Sequence, residues 1–490
     1  MNITIQKAKN GENTASVDGH FLHSNYAPVK EAERFVENLT LPYLPSAIII
    51  TEPGLSYTAQ FLRKRFPDIK IGVIRYVPDF AEYNSGFDFV LNYFEHPDFE
   101  TYLENIFTEE QLLTTHFAGW PAASQIFDET DKLVWNAIKA AMLRAKTLLI
   151  TRQYFEKKWF LNSCNFIRYC SDTVSMESKI DKNVLIISSG PSLLPFIDTI
   201  KNNRKKLFII CLSSAISVCD YYKIVPNLCM TTDGGYWAGE HLKRYNPKVP
   251  LAMPAEAYCP KSLLQKLSVL PLDYKDGISS ELLSNTKLIQ KKAVRNGTVS
   301  GTALLFASEY FSKNIFLCGL DMASQTGFQH AQPNQLEINA AIKDNRITNK
   351  QTRLTRSELT NGSLDIYRDW FCNNPLILNG RKVFRLMEKS NCKNSLNWIN
   401  DISVQSFDEI ISKENETESP VFQQNKIDTE INLSKILNES SKKEKWQKQL
   451  FPLDFVQLAH NPSNTEIKDK IDSEWEKLKE RAESYFNENI

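Results

Sequence analysis

The sequence predicts an α/β protein with a central doubly wound parallel sheet, a smaller N-terminal α/β domain and a helical C-terminal region. Three observations carry this expectation. Short apolar runs without polar alternation, such as NVLII at 183–187 and LFIICL at 207–212, suit inner parallel strands covered on both faces. Stretches of helical period lie between most of these runs. The runs end in turns of small or polar residues, where open α/β sheets bind their ligands.

A chain of 490 residues predicts about three domains at ordinary domain size. Composition shifts place them at 1–125 (N-terminal α/β), 126–178 (helical connector), 179–390 (central) and 391–490 (linker and helical region). Lys+Arg and Asp+Glu are equal at 58 each, so no global field favours nucleic acid or an anionic membrane. The opening MNITIQKAKNGEN has no apolar core of signal-peptide length, and no apolar run nears the roughly 20 residues of a membrane span. Nine cysteines are scattered without a CxxC pair, which fits reduced thiols in the cytoplasm. No metal site is expected from their spacing.

In chain order, GHFLHSNYAPVKEAERFVENL leads into a helix with Ala32, Phe35, Val36 and Leu39 on its apolar face. AIIIT at 47–51, IGVIRY at 71–76 and 87–91 read as parallel strands with crossover helices. The turn Glu52-Pro53-Gly54 puts a carboxylate where an anionic ligand would sit, so this domain reads as a scaffold or partner-binding unit. From 128 to 169 the period turns helical, with Leu133, Ala137, Ala140, Ala141, Ala145 and Leu148 on one stripe. The tail ends in a second stripe of Ile467, Ile471, Trp475, Leu478, Ala482 and Tyr485, read as a docking or oligomerisation helix.

The central unit carries the chemistry. Strand-like 183–187 breaks at Ser188-Ser189-Gly190, and Pro191 stands where a helix would begin. A strand, a glycine turn and a helix start predict backbone N–H donors for a phosphate or another anion, with a βα turn that binds nothing as the competing reading. Further strand ends bring Ser213-Ser214, Thr231-Thr232-Asp233-Gly234-Gly235 and Gly319-Leu320-Asp321 to the same edge. Asp233 and Asp321 suit a ribose hydroxyl, a metal or an amine of a base; Asp233 is equally a helix cap. Asn296-Gly297-Thr298-Val299-Ser300-Gly301-Thr302 opens a second helix facing the same crevice. Neither a Walker loop nor a GxGxxG fingerprint is present. His330 is positioned by sequence to take a proton from an acceptor hydroxyl, with an ordinary loop histidine as the alternative. Arg346, Lys350, Arg353 and Arg356 read as a basic lid or a solvated loop.

SGPSL at 189–193, TTDGG at 231–235 and VSGTALLFASEYFSKNIFLCGLD at 299–321 resemble the central domain of the motility accessory factor (Maf) flagellin glycosyltransferases. LHSNYAPVKEAERF at 22–35 is similar to the start of their N-terminal domain, and the resemblance spans about 17–385. The central domain is also similar to CMP-dependent bacterial sialyltransferases and to MptE-like hydroxymethylpterin diphosphokinases. The resemblance implies a Rossmann-like, sialyltransferase-like fold that moves a nonulosonic acid of pseudaminic or legionaminic type from a CMP donor to Ser/Thr of flagellin, with inversion. It implies CMP contacts at Ser189, Gly190, Pro191, Ser192, Ser213, Ser300, Gly301 and Thr302. It further implies acidic strand ends at Asp233 and Asp321, with His330 and Asp233 in the catalytic roles and no separate cofactor. Where the sialyltransferase pattern has Asn before Gly-Pro-Ser, this chain has Ser188-Ser189. An ATP-dependent diphosphokinase and a non-catalytic flagellin-binding protein on a decayed transferase fold are the alternatives.

Overall fold

The computed structural model describes residues 1–286, 288–322, 330–347, 362–388, 395–416, 422–426 and 433–487, with the single positions 349 and 418. The chain divides into two compact units, one of residues 1–156 with 440–477 and one of 157–439 with 478–490. The division falls within a single 42-residue helix, Asp128–Tyr169.

In the first unit, β1 (Ile3–Lys7), β2 (Asn13–Val17) and β3 (His20–Phe21) form an antiparallel sheet. The second sheet comprises β4 (Ala47–Thr51), β5 (Lys70–Arg75), β6 (Phe89–Asn92) and β7 (His116–Gly119). It is parallel, in the order β6-β5-β4-β7. All five residues of β4 are buried, which is why the run shows no polar alternation. The buried seam of the long helix here is Val134, Ile138, Ala141, Ala145 and Leu149, while Leu133 and Leu148 are exposed. The expected stripe is therefore rotated by one residue. The two seams share Ala141 and Ala145, and the larger Val134, Ile138 and Leu149 take the buried face.

The turn after β4 is filled by its own ion pair. Arg75 Nη1 lies 2.9 Å from Glu52 Oε1, and both side chains are fully buried. The guanidinium also donates to the Gly54 carbonyl (2.9 Å), to Asn84 Oδ1 (2.7 Å) and to the Ser56 hydroxyl. The second Glu52 oxygen accepts the Tyr76 N–H at 2.7 Å. His23 Nε2 accepts the Leu55 N–H at 2.9 Å, closing the turn from the other side.

In the second unit, eleven strands among the described residues form one sheet. They are β8 (Asp172–Ser175), β9 (Asn183–Ile187), β10 (Leu207–Leu212), β11 (Leu228–Met230), β12 (Leu251–Pro254), β13 (Ser268–Asp273), β14 (Lys291–Lys292), β15 (Ile315–Cys318), β16 (Val383–Leu386), β17 (Asn400–Ile402) and β18 (Gln423–Lys426). The order is β17-β16-β15-β9-β10-β11-β12-β13-β8-β18, with β14 beside β13. Only the β8–β18 pair is antiparallel. Every residue of β9 and β10 is buried, and Ala303, Leu304 and Ala307 of the helix Val299–Tyr310 share a core with Val184, Ile186, Phe208 and Ile210. Arg385 on β16 is fully buried, held by Asp401 at 2.6 and 2.7 Å.

Along the tail helix Thr465–Asn487, Ile471, Trp475, Leu478 and Ala482 are buried within the chain itself. In the first unit Trp475 packs on Trp446, and in the second the Tyr485 carbonyl accepts from Arg168 and Tyr169 at 3.0 Å. Among the described residues no helix is long and apolar enough to cross a membrane.

Two outcomes follow for the first unit. Arg75→Met leaves Glu52 buried and unpaired, which costs about 3–5 kcal/mol and lowers the urea midpoint; an unchanged midpoint would show that the pair is not needed. Burial first, and Arg75 second, hold the His23 imidazole down from 6.5 to about 4. Between those values the unfolded chain binds a proton that the folded one refuses. Stability contributed by the neutral ring is complete above pH 6.5 and is lost towards pH 4, at about 1.4 kcal/mol per unit. Urea midpoints at pH 7.5 and 5 read this slope, and His23→Gln flattens it.

Candidate active site

From β9 the chain builds the sheet outward through β10 to β13, then returns to place β15 on the other side of β9. That reversal is a topological switch point, where neighbouring βα turns splay apart and leave a crevice. A cleft of about 810 Å³, open to solvent, lies there. Ser188, Ser189 and Gly190 line it from the end of β9, Leu212 and Ser214 from β10, and Gly319 to Met322 from β15. Thr298, Val299 and Ser300 add a helix start; His330, Leu364 and Tyr367 complete the wall.

The β9 turn is closed against the end of β15. The Gly190 N–H donates to the Gly319 carbonyl at 2.8 Å, and the Ser192 N–H donates to Asp321 Oδ2 at 3.1 Å. The Ser192 hydroxyl also donates to Asp321, whose carboxylate is buried. Within this turn Asp321 takes the Ser192 N–H and the Gly319 carbonyl takes the Gly190 N–H, two donors that sequence reasoning offered to a phosphate. Gly190 is required by packing rather than by ligand approach. A Cβ there would stand 2.5 Å from both Asp321 Oδ1 and the Gly319 carbonyl. Gly319 sits at φ +72°, and a side chain on it would strike the Ser188 carbonyl.

The second helix start differs. Thr298 caps the twelve-residue helix Val299–Tyr310 by accepting the Gly301 N–H at 2.9 Å. Asn296 Oδ1 accepts from the Thr298 N–H at 3.0 Å and its hydroxyl at 3.1 Å. Val299 and Ser300 keep first-turn N–H groups that the helix itself cannot satisfy, and both residues line the cleft. This is where the positive end of a helix dipole meets the cavity.

His330 is brought to the cleft by two clamps on the strand ends. The Ala331 N–H donates to the Ser189 carbonyl at 2.7 Å. The fully buried Asn334 donates from Nδ2 to the Ser214 carbonyl at 3.0 Å and caps the helix Gln335–Ile342 through Leu336 N at 2.9 Å. Glu337, in the first turn of that helix, lies 3.3 Å from His330 Nδ1 and accepts the His330 N–H at 3.2 Å. Burial first, and then His330, hold the neighbouring His241 below its ordinary range.

Of the residues expected at the donor, Ser189, Gly190, Ser300 and Asp321 share this one cleft with His330, the expected base. Pro191, Ser192, Ser213, Gly301 and Thr302 lie outside its lining. Ser192 and Gly301 serve the turn and the cap just described; Thr302 is buried and donates its hydroxyl to Val294 (3.3 Å). Asp233 is exposed and also outside the lining; its Oδ1 accepts the Gly235 N–H at 2.8 Å, an ordinary Asx turn. Of the basic lid, Arg346 is described, while Lys350, Arg353 and Arg356 lie outside the described residues. Sequence reasoning missed Asn334, Glu337 and Tyr367. The first two carried a signal, since Asn followed three residues later by Glu marks a helix start.

Residues 158–327 match the family described as 6-hydroxymethylpterin diphosphokinase MptE-like. An uncharacterized protein of Treponema pallidum (strain Nichols) is 29% identical over 279 residues, 56% of this chain and 61% of that protein. The chain thus spans less than two thirds of that relative's length. The structure of a MAf glycosyltransferase from Magnetospirillum magneticum AMB-1 superposes with a TM-score of 0.54 at 12% identity. That match covers 99% of this chain and 90% of the other. The central segment is MptE-like, and the chain shares its α/β fold with a Maf glycosyltransferase, the pairing that the sequence blocks resemble.

Because Gly190 faces the Asp321 carboxylate, Gly190→Ala is expected to lower stability by about 1–3 kcal/mol in urea unfolding. A variant as stable as the parent would show that the turn has room to spare.

Proposed function

We propose that the chain is a glycosyltransferase that moves a nonulosonic acid from a CMP-activated donor to Ser/Thr hydroxyls of flagellin. The observation that carries this reading is the meeting of the β9 turn, the Val299 helix start and His330 in one cleft at the switch point. The donor phosphate is assigned to the Val299 and Ser300 N–H groups, with the Ser189 and Ser214 hydroxyls beside it. Donors aimed at the leaving phosphate favour the state in which its negative charge grows. The acceptor oxygen attacks the anomeric carbon as the bond to the phosphate oxygen breaks. His330 takes the acceptor proton, CMP leaves, and the configuration inverts. The fold shared with a MAf glycosyltransferase supports the transferase class.

The MptE-like match favours a second reading, an ATP-dependent pterin diphosphokinase. Nucleotide preference separates the two. Titration calorimetry is expected to show CMP binding that Val299→Pro weakens, because proline at the first helical position removes one of the N–H donors and fits the helix start. Preference for ATP over CMP would favour the kinase. His330→Ala is expected to lower transfer by about 10²–10⁴-fold with CMP affinity unchanged. In cells, flagellin made without this chain is expected to lose the mass of the sugar; identical intact masses would refute the proposed acceptor.

A further inference from the structure

His330 meets Glu337 at two points. Its ring Nδ1 and its backbone N–H both approach Glu337 Oε1, at 3.3 and 3.2 Å. A carboxylate only accepts, so this pair requires the ring proton on Nδ1 and leaves the Nε2 lone pair as the basic site. The backbone contact fixes the start of the side chain and the ring contact fixes its end, so one oxygen sets both the tautomer and the ring's direction. Glu337 is itself held in place. It stands in the first turn of the helix Gln335–Ile342, where the dipole favours a negative charge, and Asn334 bolts that turn to the Ser214 carbonyl of the cleft wall. Half-buried His330 and largely buried Glu337 (23% and 14% side-chain exposure) keep water from competing fully for the contact.

From this geometry we infer that Glu337 is a positioning residue: it holds His330 in the Nδ1–H tautomer, with Nε2 available to receive the acceptor proton. The inference rests on the reading of His330 as the base. During transfer the acceptor O–H proton passes to Nε2, and the imidazolium so formed keeps its Nδ1–H on the Glu337 carboxylate. No proton passes to Glu337.

The test uses the full chain with CMP-N-acetylneuraminic acid as donor and unmodified flagellin monomer as acceptor. Glu337→Gln is expected to lower kcat by about 10-fold or more, up to the roughly 10⁴-fold seen when the carboxylate that fixes a catalytic histidine's tautomer becomes an amide. The donor KM should stay within about twofold, since the donor contacts are untouched. Glu337→Asp should recover part of the loss. Imidazole nitrogen NMR supplies the readout that a merely structural role would not move. The resonance pair missing from His330→Ala is expected to report Nδ1–H in the parent chain and a tautomer mixture in Glu337→Gln. Should His330→Ala abolish transfer while Glu337→Gln keeps both the parent kcat and the parent tautomer, the positioning role is overturned and the base stands. Should His330→Ala transfer at the parent rate, the reading of His330 falls, and the role of Glu337 falls with it. Unchanged CMP affinity in each variant confirms a folded cleft.

Discussion

The second unit depends on a buried carboxylate that stitches two strand ends together. Asp321, just past β15, accepts from the backbone and the hydroxyl of Ser192, just past β9. The two strands are neighbours in the sheet although they lie far apart in the chain, so the bond fixes the switch point that opens the cleft. Two glycines make the approach possible, because Gly190 and Gly319 face each other with no space for a side chain on either. Charge-assisted bonds of this kind are stronger than neutral ones and lose little to water when buried. Small residues at these turns thus serve the closing of the sheet before they serve a ligand.

The first unit solves the same local problem in another way. Glu52, just past β4, accepts the N–H groups of Tyr76 and Val77 just past the neighbouring β5, and Arg75 neutralises it. In both units the protein supplies its own anion to a strand-end turn. The difference lies next door: in the second unit the helix start at Val299 opens on a cleft. On the proposed reading, the positive helix end rather than the glycine turn receives the negative group.

Much of the fold was legible because buried parallel strands announce themselves. β4, β9, β10 and β15 are short apolar runs bounded by turn residues, and all are buried along their length. β16 and β17 were not read, since VFRL interrupts its run with Arg385 and NDI has no apolar pattern at all. Arg385 is paired inside by Asp401 from the adjacent strand, a pairing that no local pattern contains. The site was half legible for a related reason. Small residues at strand ends mark where a cleft opens, but whether a given N–H faces the cleft or a neighbouring carboxylate depends on contacts between distant segments. Ser189 and Ser192 look alike in sequence; one lines the cavity and the other is tied to Asp321.

Arg385 gives the architecture a further meaning. From β16 its guanidinium reaches the carbonyl of Leu320, at 3.4 Å, while Asp401 on β17 anchors its other edge. The floor of the cavity is thereby tethered to outlying strands that contribute nothing to its lining. The segment that matches the MptE-like family ends at 327, yet His330, Leu364, Tyr367 and this tether all come later. The borders drawn by family likeness and the borders of the cleft are therefore not the same. Cut at 327, the matched segment would keep the strand-end turns of the cleft and lose the wall that His330, Leu364 and Tyr367 supply.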